Sequence, residues 1–357
     1  MRRVSLAALL ALSLAPTAQA QVVNNGPSSA NTRLSQGFNP AALPAIPQDI
    51  KGYINNPADA PEITAIKTEF SKTVMGIALL RFAKDQNITF VLTPNLPHKA
   101  LYSPGKGTIE IRPGQPLGAL MMYTAHEIRH GWQDKELGAI KMEEGVMTPW
   151  QRWTLRRYLE ADAEAFASFF QADRLRNGIP LPPGSGQAMP ASMIAERLRG
   201  EFWSKDGLVF GEYRHLALEP ALERLHTYNK LHLDYVEEMT LNFGKQVLAA
   251  GNDKTKLAAL EAQVQNAPDD ATFDAFLRHL GGVSLKLDQQ TSLQSTAVTP
   301  DKLLNDYPRR MINPLAARDF PPVLDKSIAD MTALQDGYIR VLHNTSGKKP
   351  ALPKPGA

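Results

Sequence analysis

The sequence of 357 residues predicts an α+β fold that is mainly helical, with one small sheet in the first half of the chain. Three observations predict this fold. Apolar residues recur with the spacing of a helix face over residues 60–84 and through most of the second half. Short apolar runs at 88–93 and 100–112 are bounded by Gly, Pro and Asn, which is typical of strands. A Pro- and Gly-rich stretch at 178–190 separates this part from the helical second half.

The predicted elements of the first half are one helix, one strand and one hairpin, in that order. The helix covers residues 60–84 and presents an apolar stripe. The stripe consists of Ile63, Ile66, Phe70, Val74, Ile77, Leu80 and Phe82. A strand follows at 88–93, and the hairpin at 100–112 turns through Ser-Pro-Gly-Lys-Gly. Residues 108–112 are predicted to form an edge strand, which could accept an extended peptide by strand addition or simply close the core.

The most informative motif lies at residues 126–130, which read His-Glu-Ile-Arg-His. On a helix, His126 and His130 lie on one face about one turn apart, so both imidazoles can bind one metal ion. Glu127 stands beside the first His, where its carboxylate can take a proton from a metal-bound water. This is the HExxH pattern of zinc peptidases. The apolar residues around the motif favour this interpretation over two His that only make hydrogen bonds in a core.

A catalytic zinc site needs a third protein ligand, and in a chain without Cys this ligand must be His, Asp or Glu. The best candidates are Glu160, Asp162 and Glu164, in an Ala-rich segment at 158–170 that reads as a second helix. Glu160 and Glu164 are four residues apart and share one face, and the small Ala residues allow two helices to approach closely. The alternative interpretation is a solvated acidic stripe on an amphipathic helix.

The two segments HExRHxWQ and LEADAxAF together resemble the gluzincin class of zinc metallopeptidases. They are also similar to a bacterial family of uncharacterised metallopeptidases, and the resemblance covers roughly residues 60–175. It implies a zincin-like core, one zinc ion and a peptidase activity. The residues that it assigns to the site are the metal ligands His126, His130 and Glu160 and the general base Glu127.

The resemblance also implies supporting residues. Asp162 corresponds to a carboxylate that supports a metal ligand without binding the metal. Many gluzincins carry Asp four residues after the ligand Glu, whereas this chain has Glu164 there. Glu160 as ligand with Glu164 in support is the favoured assignment, and the reverse stays open. Tyr213 and His215 are candidate hydrogen-bond donors to an oxyanion.

The first residues predict export. Residues 1–20 combine a basic start, an apolar run and an Ala-Gln-Ala ending, which is the pattern of a secretory signal peptide. Cleavage after Ala20 would leave Gln21 as the first residue of a periplasmic or secreted protein. The apolar run is too short to span a membrane, and no integral membrane segment is expected in the mature chain.

Composition narrows the class of partner. The absence of Cys excludes disulfide bonds, so an exported form must fold by core burial alone. Removing Arg2 and Arg3 with the signal peptide reduces the 39 basic residues to 37, against 36 acidic residues. A chain so close to neutrality favours neither nucleic acid nor an anionic membrane surface as a partner. A peptide or protein substrate is the expected partner.

The predicted domain order combines these elements. A flexible arm at 21–59 precedes a zincin-like domain at 60–180, a helical region at 191–340 and a disordered tail at 341–357. The predicted function is that of an exported zinc metalloendopeptidase, a hydrolase that uses Glu127 as general base. The alternative is a catalytically inactive zinc-binding protein or a helical scaffold of the periplasm.

Overall fold

The structure, a computed structural model, describes residues 44–185, 229–276 and 320–347, except for residues 140, 141, 143, 144 and 274. Parts of the sequence-based prediction lie outside these described residues. They are the signal peptide at 1–20, the arm up to residue 43, the parts of the helical region at 191–228 and 277–319, the residues Tyr213 and His215, and the tail beyond residue 347.

The described part of the chain is mainly helical and contains one three-stranded sheet, as predicted for the fold class. The elements in chain order are α1 (Gln48–Ile54), α2 (Pro61–Phe70), α3 (Val74–Asp85), β1 (Thr89–Leu92), β2 (Ala100–Ser103), β3 (Thr108–Ile111), α4 (Leu117–Lys135), α5 (Pro149–Arg176), α6 (Asn229–Ala250), α7 (Lys254–Gln265) and α8 (Phe320–Ser346). Among these helices, none has the length and apolarity needed to cross a membrane.

The predicted single helix at 60–84 is wrong, because the chain breaks there into α2 and α3. Thr73 starts the second helix, since its hydroxyl accepts the N–H of Gly76 at 2.9 Å and satisfies one of the free donors of the first turn. A Cβ on Gly76 would overlap the carbonyl oxygen of Phe70. The Thr cap and the Gly therefore let α3 begin directly against the end of α2.

The last part of the predicted flexible arm is folded. Residues 48–54 form α1, whose Ile50 and Ile54 are four residues apart and completely or almost completely buried. Lys67 on α2 holds the turn after this helix, because its ammonium group donates to the carbonyl oxygen of Tyr53 at 2.9 Å and to Asp59 at 2.7 Å. Burial of two Ile side chains and of this hydrogen-bonded cation explains why the segment is ordered.

The sheet has the strand order β1-β3-β2. β2 and β3 form the predicted hairpin and are antiparallel, with Tyr102 opposite Ile109. β1 pairs in parallel with the other side of β3, with Thr89 opposite Thr108. The prediction of an edge strand at 108–112 is therefore wrong, because β3 is the central strand and β1 and β2 are the edges.

The chain divides into two compact units. Within the described residues, the first unit comprises 44–137 and 159–185, and the second comprises 138–158, 229–276 and 320–347. The connector before α5 belongs to the second unit for a physical reason. Val146 donates its N–H to the carbonyl oxygen of Gln263 at 3.0 Å, and the side chain of Gln151 donates to that of Asp270 at 3.0 Å.

The second unit is helical, as predicted for the second half. Asp253 caps α7 by accepting the N–H groups of Thr255 and Lys256 at 3.1 Å. α8 continues to Ser346, so the beginning of the predicted disordered tail at 341–357 is helical. One buried hydrophobic cluster of this unit contains Val146, Phe243, Val247, Ala250, Leu257, Leu260 and Leu342.

Candidate metal centre

The His-Glu-Ile-Arg-His motif lies in the middle of α4, which packs on β2 and β3. Leu120, Ile128 and Trp132 are buried at 3% exposure or less, so the helix turns its apolar side into the first unit. Gly131 permits a close approach to the sheet, since a Cβ there would lie 2.9 Å from Cδ1 of Ile88. The motif therefore lies in a buried and closely packed part of the fold.

The second helix of the centre is α5, which carries all three candidate carboxylates. Glu160 and Asp162 are buried, and Glu164 is partly exposed. The neighbouring small residues Ala161, Ala163, Ala165 and Ala167 are exposed by 1% or less. These small side chains are buried, and residues of this size allow other elements to pack close to the backbone of α5.

Three side-chain groups converge between α4 and α5. The Nε2 atoms of His126 and His130 are 3.0 Å apart. Glu160 places Oε2 3.4 Å from Nε2 of His126 and Oε1 3.6 Å from Nε2 of His130. The potential ligand atoms of these three residues all lie within 4.8 Å of one another. Four-coordinate zinc with bonds of about 2.0–2.1 Å keeps its ligand atoms about 3.4 Å apart, so this donor set fits such an ion.

The other ring nitrogens of the two imidazoles face different partners. Nδ1 of His126 lies 3.5 Å from Oε2 of Glu164, too distant for a well-formed hydrogen bond. Nδ1 of His130 lies 2.8 Å from Oε1 of Gln133. The structure thus brings Glu160 to the shared face of both imidazoles and Glu164 to the outer side of His126 only.

Gln133 is a residue of the site that the sequence interpretation missed. Its amide nitrogen donates to the carbonyl oxygen of Leu159 and to Oδ2 of Asp162, both at 2.9 Å. Asp162 contacts Gln133 and Arg129 rather than either imidazole. The signal available in the sequence was spacing, because residues three apart on a helix, such as His130 and Gln133, lie side by side.

Residues 48–182 match the sequence profile of a family described as "Putative metallopeptidase family (DUF6782)". This segment is therefore similar to that family. The matched segment is less than half of the 357-residue chain, and it contains every residue of the centre described above. No curated protein and no solved structure matches the chain significantly.

The metallopeptidase family and the His-His-Glu group both point to metal binding, and neither of them specifies which metal. The charges around His126 and Glu160 also favour a cation between them. Burial opposes the charged forms of His126 and Glu160. For His126 the hydrogen bonds with Glu160 and Glu164 outweigh burial, and for Glu160 the charge of His130 and the hydrogen bonds with both imidazoles outweigh it. The pKa of His126 therefore lies well above its usual range, and the pKa of Glu160 lies well below. Glu160 is ionised and can offer a carboxylate oxygen to a metal.

Glu127, the remaining acid of the motif, has a distinct environment. Its side chain is 3% exposed, and Oε2 accepts the backbone N–H of Tyr102 on β2 at 2.7 Å. Burial raises the pKa of Glu127, and the nearby His126 and His130 oppose that rise. A carboxylate with a raised pKa can both accept and return a proton near neutral pH.

Proposed function

We propose that this protein is a zinc-dependent metallopeptidase that hydrolyses peptide bonds. The single observation that carries the proposal is the convergence of His126, His130 and Glu160 on one point, with Glu127 held beside them by the edge strand β2. The family of residues 48–182 supports the same activity. The alternative of an inactive scaffold is not favoured, since the general-base position of the motif carries an intact carboxylate.

The metal would be held by His126, His130 and Glu160, which supply two nitrogens and one oxygen. A bound zinc ion supplies a Lewis acid that polarises the substrate carbonyl and makes water a better nucleophile. With three protein ligands, the usual fourth position of a catalytic zinc site is left for water or substrate. In this proposal Glu164 supports the metal site from the outer side of His126, where its Oε2 lies 3.5 Å from Nδ1.

Glu127 moves the proton. Oε2 is engaged by the N–H of Tyr102, whereas Oε1 makes no hydrogen bond to any described residue. Oε1 is therefore the oxygen that accepts a proton from the attacking water. The same oxygen then delivers this proton to the nitrogen of the leaving amine, so the carboxylate is restored at the end of the cycle. The hydrogen bond from Tyr102 keeps the carboxylate in one orientation throughout.

Glu127→Gln tests the proposal, because the amide keeps the shape of the side chain and loses the base. We expect one zinc ion per chain to be retained, by elemental analysis, while kcat on a quenched-fluorescence peptide library falls by about 10²–10⁴-fold. Glu238→Gln, which changes an exposed carboxylate on α6, is the matched control and should keep wild-type activity. Full activity of Glu127→Gln with zinc bound would contradict the proposal.

Export is a separate part of the proposal and rests on residues 1–20 alone. In a bacterial host, we propose that the chain reaches the periplasm or the medium and begins at Gln21. N-terminal sequencing of the chain recovered from the periplasmic fraction tests this. A mature chain that still begins at Met1 would overturn it without affecting the proposed chemistry.

A further inference from the structure

We infer that Arg129, Asp162 and Gln133 form a hydrogen-bond chain that fixes the tautomer and the orientation of His130. They are positioning residues, since none of them belongs to the His-His-Glu group. The inference rests on the metal centre of the proposed function and is independent of the peptidase activity. It assigns a role to Arg129, the fourth residue of the His-Glu-Ile-Arg-His motif, which the proposed reaction does not use.

The chain begins at a buried ion pair. Nε of Arg129 donates to Oδ2 of Asp162 at 2.6 Å, and NH2 donates to Oδ1 at 3.1 Å. Both side chains are completely buried. A guanidinium can only donate, so both carboxylate oxygens of Asp162 act as acceptors in this contact. Asp162 therefore presents acceptors, and no donor, to its other neighbours.

The second link is the amide of Gln133, which is 2% exposed. One end of this amide faces Oδ2 of Asp162 and the carbonyl oxygen of Leu159, both at 2.9 Å. Both of these atoms are acceptors, so this end must be the NH2 group. The opposite amide orientation would place the Gln133 oxygen against two other oxygens in a buried site, which is strongly unfavourable. Chemistry therefore settles the orientation of the amide.

The third link transmits this orientation to the imidazole. Oε1 of Gln133 lies 2.8 Å from Nδ1 of His130. A carbonyl oxygen cannot donate, so Nδ1 must carry the hydrogen. In the neutral ring the lone pair is then on Nε2, the atom that faces His126 and Glu160. The opposite tautomer would direct an N–H at the position of the metal.

The two imidazoles are therefore positioned by different means. His126 has only the 3.5 Å approach of Glu164 on its outer side, and that carboxylate is partly exposed. His130 is held by a continuous chain of short hydrogen bonds between α4 and α5. The same chain joins the helix of the two His residues to the helix of Glu160. Partners of this kind contribute about 10–100-fold to metal affinity in other metal sites.

Gln133→Met tests the inference, since Met has a similar length and cannot accept the N–H of Nδ1. Two readouts are used. Long-range ¹H–¹⁵N NMR of the metal-free chain reports the tautomer of His130, with His130→Ala for assignment. Competition with a chelator reports the zinc dissociation constant. We expect the Nδ1–H tautomer in the wild type, and in Gln133→Met a tautomer mixture with zinc binding weakened about 10–100-fold.

Gln171→Met is the matched control, because Gln171 is another buried Gln, at 3% exposure, on α5. Neither of its amide atoms has a hydrogen-bond partner among the described residues, so this variant should keep the wild-type tautomer and zinc affinity. An Nε2–H tautomer in the wild type, or an unchanged tautomer and affinity in Gln133→Met, would overturn the inference. If Gln133→Met does not fold, the wild-type spectrum still tests the inference, because an Nε2–H tautomer overturns it. A wild type that shows the Nδ1–H tautomer and binds zinc, yet cleaves no peptide, would refute only the peptidase proposal.

Discussion

The backbone N–H of Tyr102 lies 2.7 Å from Oε2 of Glu127, so an edge strand of the sheet holds the carboxylate of the metal helix. The same residue reaches α4 a second time. Its hydroxyl donates to Oδ2 of Asp134 at 2.8 Å, about two turns further along the helix. Tyr102 therefore connects β2 to α4 at two points, Glu127 before His130 and Asp134 after it.

The hydroxyl contact of Tyr102 predicts a measurable loss of stability in Tyr102→Phe. A buried hydrogen bond to a charged acceptor contributes about 1.5–3 kcal/mol, and we expect the free energy of unfolding in urea to fall by this amount. Zinc content should not change, because the N–H of residue 102 still reaches Glu127. Tyr53→Phe is the control, since the Tyr53 hydroxyl donates to a neutral acceptor, the carbonyl oxygen of Ile88, and should cost only about 0.5–1.5 kcal/mol. Equal losses in the two variants would count against this assignment.

Glu160 and Glu164 can be distinguished by changing each to Gln. The Glu160 carboxylate reaches the Nε2 atoms of both His residues, so Glu160→Gln should abolish stoichiometric zinc binding. Glu164 lies beside Nδ1 of His126, on the side of the ring away from Glu160, so Glu164→Gln should still bind one zinc ion, with affinity reduced about 10–100-fold. Elemental analysis and chelator competition measure both effects. The reverse pattern would make Glu164 the third ligand.

Two Gly residues in neighbouring helices should respond oppositely to Ala. In Gly76→Ala the new Cβ would meet the backbone carbonyl of Phe70, which cannot move aside, so we expect a loss of about 1–3 kcal/mol. In Gly52→Ala, within α1, no atom lies within 4 Å of the new Cβ. The better helix propensity of Ala should stabilise that variant by up to about 1 kcal/mol. Thermal unfolding of both variants measures the difference, and a stabilised Gly76→Ala would disprove the close contact.

Acid should weaken the fold partly through Glu69. Burial opposes ionisation of this carboxyl, but hydrogen bonds from Lys72 and Arg174 outweigh it and lower its pKa below the usual 4.5. Because the folded-state pKa is the lower one, the stabilisation is present above about pH 4.5 and is lost as the pH falls through the folded-state value. Glu69→Gln should therefore lose less stability on acidification than the wild type. Unfolding free energies measured from pH 6 to pH 3 test this, and parallel curves would contradict it.

Local spacing accounts for what could be predicted of the site. His126, Glu127 and His130 lie within five residues of one helix, so their common face follows from helix geometry alone. The hairpin of β2 and β3 also joins neighbouring segments and was predicted correctly. The break between α2 and α3 was missed, because the apolar period continues across it and the Thr73 cap is a single residue within that pattern.

The sequence by itself determined the mainly helical α+β class and the local geometry of the His-Glu-Ile-Arg-His helix, since both depend on periodicities within a few turns. Tertiary structure alone decided that β3 is central, because its parallel pairing with β1 joins segments that no hairpin links. It also decided that Glu160 faces both imidazoles and that Tyr102 holds Glu127. Tertiary structure also decided the chain of hydrogen bonds from Asp162 through Gln133 to His130, because it joins α5 to α4. These relationships depend on how separate elements pack. The sequence pattern alone does not predict them, because it does not give the distances between elements that are far apart along the chain.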